Sequence, residues 1–134
     1  MKEKGRKAEH SRTIVLYLVS HASGELVEML ARNAVTQLAG LEVKRRLWKM
    51  VRHLDQIPEI LGTFASSPGY VLHSISHHDI REALEEGCRR LNLPCQFALE
   101  PLLGRLAGYS GATVQLHNSS GDAFDEDYYR RVEA

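Results

Sequence analysis

The sequence predicts an α/β domain built on a small parallel sheet of four strands, in the order 2-1-3-4, with helices on both faces. Three observations predict it. The first apolar run, Thr13-Ile-Val-Leu-Tyr-Leu-Val-Ser20, is continuous instead of alternating, which is how a strand buried on both faces of a parallel sheet reads. Short runs of this kind then alternate along the chain with longer stripes at helical spacing, the pattern of βαβ units. The chain has 134 residues, 43% of them apolar, enough for a single real core.

The elements follow in order. The first strand is expected at residues 13–20, and Ser20-His-Ala-Ser-Gly-Glu25 is a short loop of small residues. A helix then places Leu26, Val27, Leu30, Ala31, Ala34, Val35 and Leu38 on one side and Glu28, Arg32, Asn33 and Gln37 on the other. Gly40 is a natural stop for it. Residues 43–48, around Val43, Leu47 and Trp48, predict the second strand. Leu54, Ile57, Ile60, Leu61 and Phe64 form a helical stripe whose Pro58 must lie in the first turn, so that helix starts near Gln56. After the loop Ser66-Ser-Pro-Gly69, residues 70–75 predict the third strand. The third helix is the clearest. Ile80, Ala83, Leu84, Gly87, Cys88 and Leu91 face inward, Arg81, Glu82, Glu85, Glu86, Arg89 and Arg90 face water, and Ser76 is placed to cap it. Residues 95–98 are a short fourth strand, and Pro101 opens a helix carrying Leu102, Leu103 and Leu106.

Charge and composition exclude several classes. Both signs count 17 and the formal net charge is +0, so there is no electrostatic footprint for nucleic acid or an anionic membrane. No apolar run approaches the roughly 20 residues of a membrane helix. Residues 1–12 are polar and basic, and read as a disordered tail or leader, not a signal peptide. Cys88 and Cys95 are read as reduced structural thiols, and the protein as cytoplasmic.

The expected strand order reverses between strands 1 and 3. Open α/β sheets bind ligands at such a switch point, beyond the carboxyl ends of the strands. That brings Ser20, His21, Ser23, Gly24 and Glu25 beside Ser76 and His77, the candidate site for an anion or other ligand. Backbone N–H groups at the helix start would hold the anion, helped by the Ser23 hydroxyl and a protonated His21. The bland reading is that Ser23 only caps the helix. No metal site is assigned. His73 lies in a strand, His77 and His78 point apart, and neither a cysteine nor a second carboxylate stands at ligand spacing. No catalytic residue is assigned. A receiver-type phosphoacceptor fails because Ser74 to Ser76, and no aspartate, follow the third strand.

Taken in order, Leu18-Val-Ser-His-Ala-Ser-Gly-Glu25 with the Ala31-Arg32 helix, Arg81-Glu-Ala-Leu-Glu-Glu-Gly-Cys-Arg-Arg-Leu-Asn-Leu-Pro-Cys95, Glu100-Pro-Leu-Leu103, residues 106–111, and His117 with Asp125-Glu-Asp-Tyr-Tyr-Arg-Arg-Val-Glu-Ala134 resemble a known family. It is that of the regulatory proteins of pyruvate, phosphate dikinase and phosphoenolpyruvate synthase. The resemblance runs over about residues 14–134. It implies a bifunctional protein that phosphorylates a threonine of the dikinase or synthase with ADP, and removes the phosphate with inorganic phosphate, releasing pyrophosphate. It also implies that the phosphate loop lies in a second domain, and no G-x-x-x-x-G-K-[ST] occurs here. This chain carries His21-Ala-Ser-Gly24 where the family usually has Asp-Ser-Thr-Gly.

The expected organisation is therefore a leader at 1–12, an α/β domain at 13–111, and a linker at 112–134 that opens a helix toward an absent domain. The expected function is a regulatory and interaction domain, without a cofactor of its own and inactive alone, with ADP and inorganic phosphate used by the whole protein. Its partners would be the dikinase or synthase target, the absent C-terminal domain and, by allowance, a second copy. The alternative is a self-contained phosphotransferase or hydrolase, or an anion-binding module, using the His21/Ser23 loop.

Overall fold

The computed structural model describes residues 12–117. The chain runs β1 (Arg12–Val19), α1 (Glu25–Val35), β2 (Leu41–Trp48), a 3-10 turn (Leu54–Gln56), α2 (Ile57–Ser66), β3 (Tyr70–His73), α3 (His78–Arg90), β4 (Cys95–Phe97) and α4 (Leu102–Ser110). The four strands are parallel in the order β2-β1-β3-β4, as the alternation predicts. The central strand β1 pairs on one side with all of β2, from Arg12↔Leu41 to Val19↔Trp48. On the other side Leu16 to Val19 pair with Tyr70 to His73.

Successive side chains of β1 point to opposite faces, and each face has its own core. On one face Tyr17, Val19, Val71 and Ile75 meet Ile57, Ile60 and Phe64 of α2 and Ile80, Leu84 and Cys88 of α3. Phe64 is fully buried, stacked on Tyr17 at 4.6 Å between ring centroids and edge-on to Trp48 at 5.6 Å. The Tyr17 hydroxyl, buried beneath the α2–β3 loop, donates to the carbonyl of Ser67 at 2.6 Å. Gly69 in that loop passes so close to β1 that a Cβ would stand 2.6 Å from the carbonyl oxygen of Val15. On the other face Leu16, Leu18 and Leu72 meet Val27 and Ala31 of α1.

The structure corrects several expected boundaries. Arg12, expected in the leader, is the first paired residue of β1. β3 ends at His73 and β4 at Phe97, because Ser74 and Ala98 turn away after one further bond each, to Val19 and His73 carbonyls. Helix α1 ends at Val35, not at Gly40: Thr36 closes it with its N–H on Arg32 and its hydroxyl on Asn33. Gly40 instead turns into β2 at φ 74°. Leu38 is thus outside the helix and exposed, and Leu26 and Leu30 stay 39% exposed, so the inward stripe narrows to Val27 and Ala31. Ser76 does not cap α3. His77 holds the N-cap position, and no side chain bonds there. The expected helix at the end of the chain lies outside the described residues.

Candidate functional site at the carboxyl edge

Parallel pairing aligns the ends of β2, β1 and β3, since Val19 pairs with both Trp48 and His73. The residues that follow therefore meet along one edge. Ser20 is 3% exposed there. Its N–H donates to the Trp48 carbonyl at 2.9 Å, its hydroxyl accepts the Ala22 N–H at 3.0 Å, and the Ser74 hydroxyl donates to it at 3.4 Å. Ring nitrogen Nδ1 of His21 lies 3.3 Å from the Ser74 carbonyl. That acceptor requires the proton on Nδ1. The reversal of strand order thus brings Ser20 and His21 against Ser74.

Of the other expected residues, Ser23 is exposed and makes no cap bond. The N-cap of α1 is Gly24, buried at φ 95°, in the left-handed region. A Cβ there would stand 2.8 Å from Cδ2 of Leu47. Glu25 is exposed in the first turn of α1, where its charge complements the helix dipole. Ser76 is buried between β3 and α3, and His77 is exposed at the start of α3.

Arg52, which sequence reasoning missed, stands against the candidate loop. The segment after β2 lies along the Ser20–Gly24 loop, with Val51 N–H on the Ser20 carbonyl at 2.9 Å and Met50 N–H on Ala22 at 3.0 Å. Nε of Arg52 donates to the His21 carbonyl at 2.8 Å, and the side chain is exposed at the loop. Gln56 fixes the segment by accepting the N–H groups of Arg52 and His53 at 2.7 and 2.8 Å. The topology held the clue, since whatever follows β2 must reach the same edge as β1.

Beneath the edge lies a second polar cluster. His73 is fully buried, with its ring 5.4 Å from that of Phe97. The Ile75 N–H donates to His73 Nδ1 at 3.1 Å, which leaves the proton on Nε2, donated to Glu85 Oε2 at 2.8 Å. That hydrogen bond holds the Glu85 carboxyl below its ordinary range, against its partial burial, with the charges of Arg81 and Arg89 assisting. Arg81 also donates to Glu85 at 3.3 Å, while its Nε is buried without a partner among the described residues. His73 is therefore a structural histidine engaged by α3.

A family model, that of kinase/pyrophosphorylase proteins, matches residues 16–134. The chain belongs to this family. It is similar to pyruvate, phosphate dikinase regulatory proteins of Caulobacter vibrioides (34% identical over 119 residues), Novosphingobium aromaticivorans (35% over 119) and Erythrobacter litoralis (34% over 123). These alignments cover 89%, 89% and 92% of this chain but 38%, 42% and 44% of the relatives. The chain thus spans about two fifths of the curated relatives it matches. Among the described residues no helix is long and apolar enough to cross a membrane.

Proposed function

We propose that this chain is the N-terminal regulatory and interaction domain of a bifunctional protein that phosphorylates pyruvate, phosphate dikinase or phosphoenolpyruvate synthase with ADP and dephosphorylates it with inorganic phosphate. The observation that carries the reading is the family match over residues 16–134, joined to coverage of only 38–44% of the relatives. In this reading the phosphoryl-transfer machinery lies in the remainder of the longer chain. Phosphoryl transfer needs cations and loop amides to clamp the moving group. The lysines beyond the leader are Lys44 and Lys49, exposed on and just after the edge strand β2.

Helix α4 supports a contact role. None of its residues is buried, and Leu102, Leu106 and Tyr109 are 61%, 55% and 93% exposed. Apolar side chains on a helix this open are suited to a covering surface. The C-terminal remainder of the longer protein is the occupant we assign to it. The carboxyl-edge crevice, with Ser20, His21, Ser23, Gly24 and Glu25 flanked by Arg52, Ser76 and His77, is the anion-binding end of the domain. Arg52 supplies the charge, and the start of α1 supplies N–H groups.

The test assays this chain and a chain extended through the following domain. Each receives ADP, then inorganic phosphate, with the dikinase or synthase as substrate. The isolated chain should transfer no phosphate and the extended chain should do both reactions. Turnover by the isolated chain would overturn the assignment and favour the self-contained phosphotransferase, with His21 and Ser23 the first residues to replace. Phosphate titrated against the isolated chain should shift amides of residues 23–25. Shifts elsewhere only, or none at millimolar phosphate, would remove the crevice from the proposal.

A further inference from the structure

The formal net charge of +0 conceals a local excess on β2. Lys44, Arg45, Arg46 and Lys49 stand within six consecutive residues, and all four are exposed. Glu42 is the one acid of the strand. Among the described residues Arg45 has a counter-ion, Glu28 at 3.4 Å, and Lys44 and Lys49 have none. Arg46 lies over the Trp48 ring, 4.5 Å from its centroid. The same strand is an edge of the sheet, paired with β1 alone among the described residues. The opposite edge, β4, has three residues, whereas β2 has eight in unbroken register.

The pairing with β1 shows which backbone groups of β2 stay open. The carbonyls of Gly40 and Trp48 accept from the N–H groups of Arg12 and Ser20. With a period of two, Glu42, Lys44 and Arg46 therefore turn their backbone groups to β1, and Val43, Arg45 and Leu47 turn theirs outward. The side chains alternate between the two faces of the sheet. Lys44, Arg46 and Trp48 share the face covered by α2, and Val43, Arg45 and Leu47 the face covered by α1.

We propose that the β2 edge binds an acidic extended segment of a partner protein by strand addition, with the partner's carboxylates beside Lys44 and Arg46. The surface runs along the side of the sheet and is neither α4 nor the carboxyl-edge crevice. It stands whether or not the remainder of the longer chain carries phosphoryl transfer. The outward N–H and C=O groups of Val43, Arg45 and Leu47 supply the backbone hydrogen bonds of an added strand. Side chains of neighbouring strands meet on the same face, so acids at alternate positions of the segment lie against Lys44 and Arg46. Apolar residues between them lie against Val43 and Leu47. The same cations reject a second copy, because β2 beside β2 sets like charges against each other. Nucleic acid fits this edge less well, since bases need an open aromatic platform. Trp48 is half-buried, covered by Arg46 and packed against Tyr17 and Phe64.

The test titrates a short capped peptide, alternating glutamate with valine, into the folded 134-residue protein and follows amide hydrogen exchange. Exchange at the outward Val43, Arg45 and Leu47 amides should slow on binding. The Lys44 and Arg46 amides, already turned to β1, should not change. Affinity should fall as salt is raised. The same peptide N-methylated through its length keeps its charge and loses its backbone donors, and should bind about tenfold more weakly. Lys44→Glu with Arg46→Glu should also weaken the unmodified peptide about tenfold. Thermal melts check that this variant is folded, and Lys44→Gln with Arg46→Gln should shift affinity in the same direction by less. Equal binding of the N-methylated peptide would leave only charge attraction and overturn strand addition. Tighter binding of a single-stranded oligonucleotide, dimerisation of the protein through the same amides, or unchanged β2 exchange at millimolar peptide would each overturn the proposal.

Discussion

Replacing Glu85 by Gln tests whether the buried His73 is held by charge. The wild-type carboxylate accepts from His73 Nε2 at 2.8 Å and from Arg81 at 3.3 Å. Hydrogen bonds to a charged group contribute about 1.5–3 kcal/mol and neutral ones about 0.5–1.5. The Glu85 side chain is 28% exposed, so solvent screening takes the lower part of the charged range. Gln keeps an acceptor for His73 and loses the charge, a net loss of about 1 kcal/mol, or about 4–8 °C in Tm for a domain of this size. The pH dependence decides the cause. The folded-state pKa of Glu85 is lowered, chiefly by the His73 hydrogen bond. Its contribution is therefore present above the unfolded value of about 4.3 and is lost as pH falls through the lower folded value. Thermal melts of the two proteins should be separated at pH 7 and converge toward pH 3. A gap of equal size at both pH values would show that shape, not charge, holds His73, and no gap at pH 7 would refute the network altogether.

Three further outcomes follow. Gly24→Ala should destabilise by about 1–3 kcal/mol in urea titration, since a Cβ at φ 95° is strained and Leu47 must also move; an unchanged midpoint would mean the α1 start is not held as described. Phe64→Ala should cost about 3–5 kcal/mol by the same measurement, because a fully buried ring stacked on Tyr17 leaves a cavity between α2 and the sheet. Arg52→Ala should weaken the phosphate-induced amide shifts at residues 23–25 while stability stays within about 0.5 kcal/mol, as for other exposed positions; shifts identical to wild type would exclude Arg52 from the anion site.

The sheet was legible in the sequence because burial on both faces leaves a mark that local structure cannot imitate. Residues Leu16 to Val19 are apolar without interruption since α1 covers one side and α2 with α3 the other. Helix α3 was legible for a related reason, its Ile80, Leu84 and Cys88 face being buried, although Arg81 and Glu85, expected to face water, turn partly inward to the buried His73. Helix α1 was overread. Its apolar residues outnumber those of α3, yet only Val27 and Ala31 are buried, and periodicity reports which residues share a side without reporting how much of that side is covered. Helix ends misled for the same local reason. Gly40 is a plausible stop in isolation, but Thr36 ends α1 first with its own hydroxyl.

The candidate site was legible as far as topology could be inferred, and not where loops meet. Strand order alone places Ser20 and His21 beside the end of β3, and the Ser74 contacts follow from it. Arg52 depends instead on a return of the chain after β2, fixed by backbone hydrogen bonds that have no sequence signature. That return acts on a side chain that composition treats as ordinary, a surface arginine. Long-range chemistry in this domain is thus concentrated where an edge strand meets the loop beside it. The continuous apolar strands fix the frame, and the loops at its carboxyl edge decide which polar groups meet.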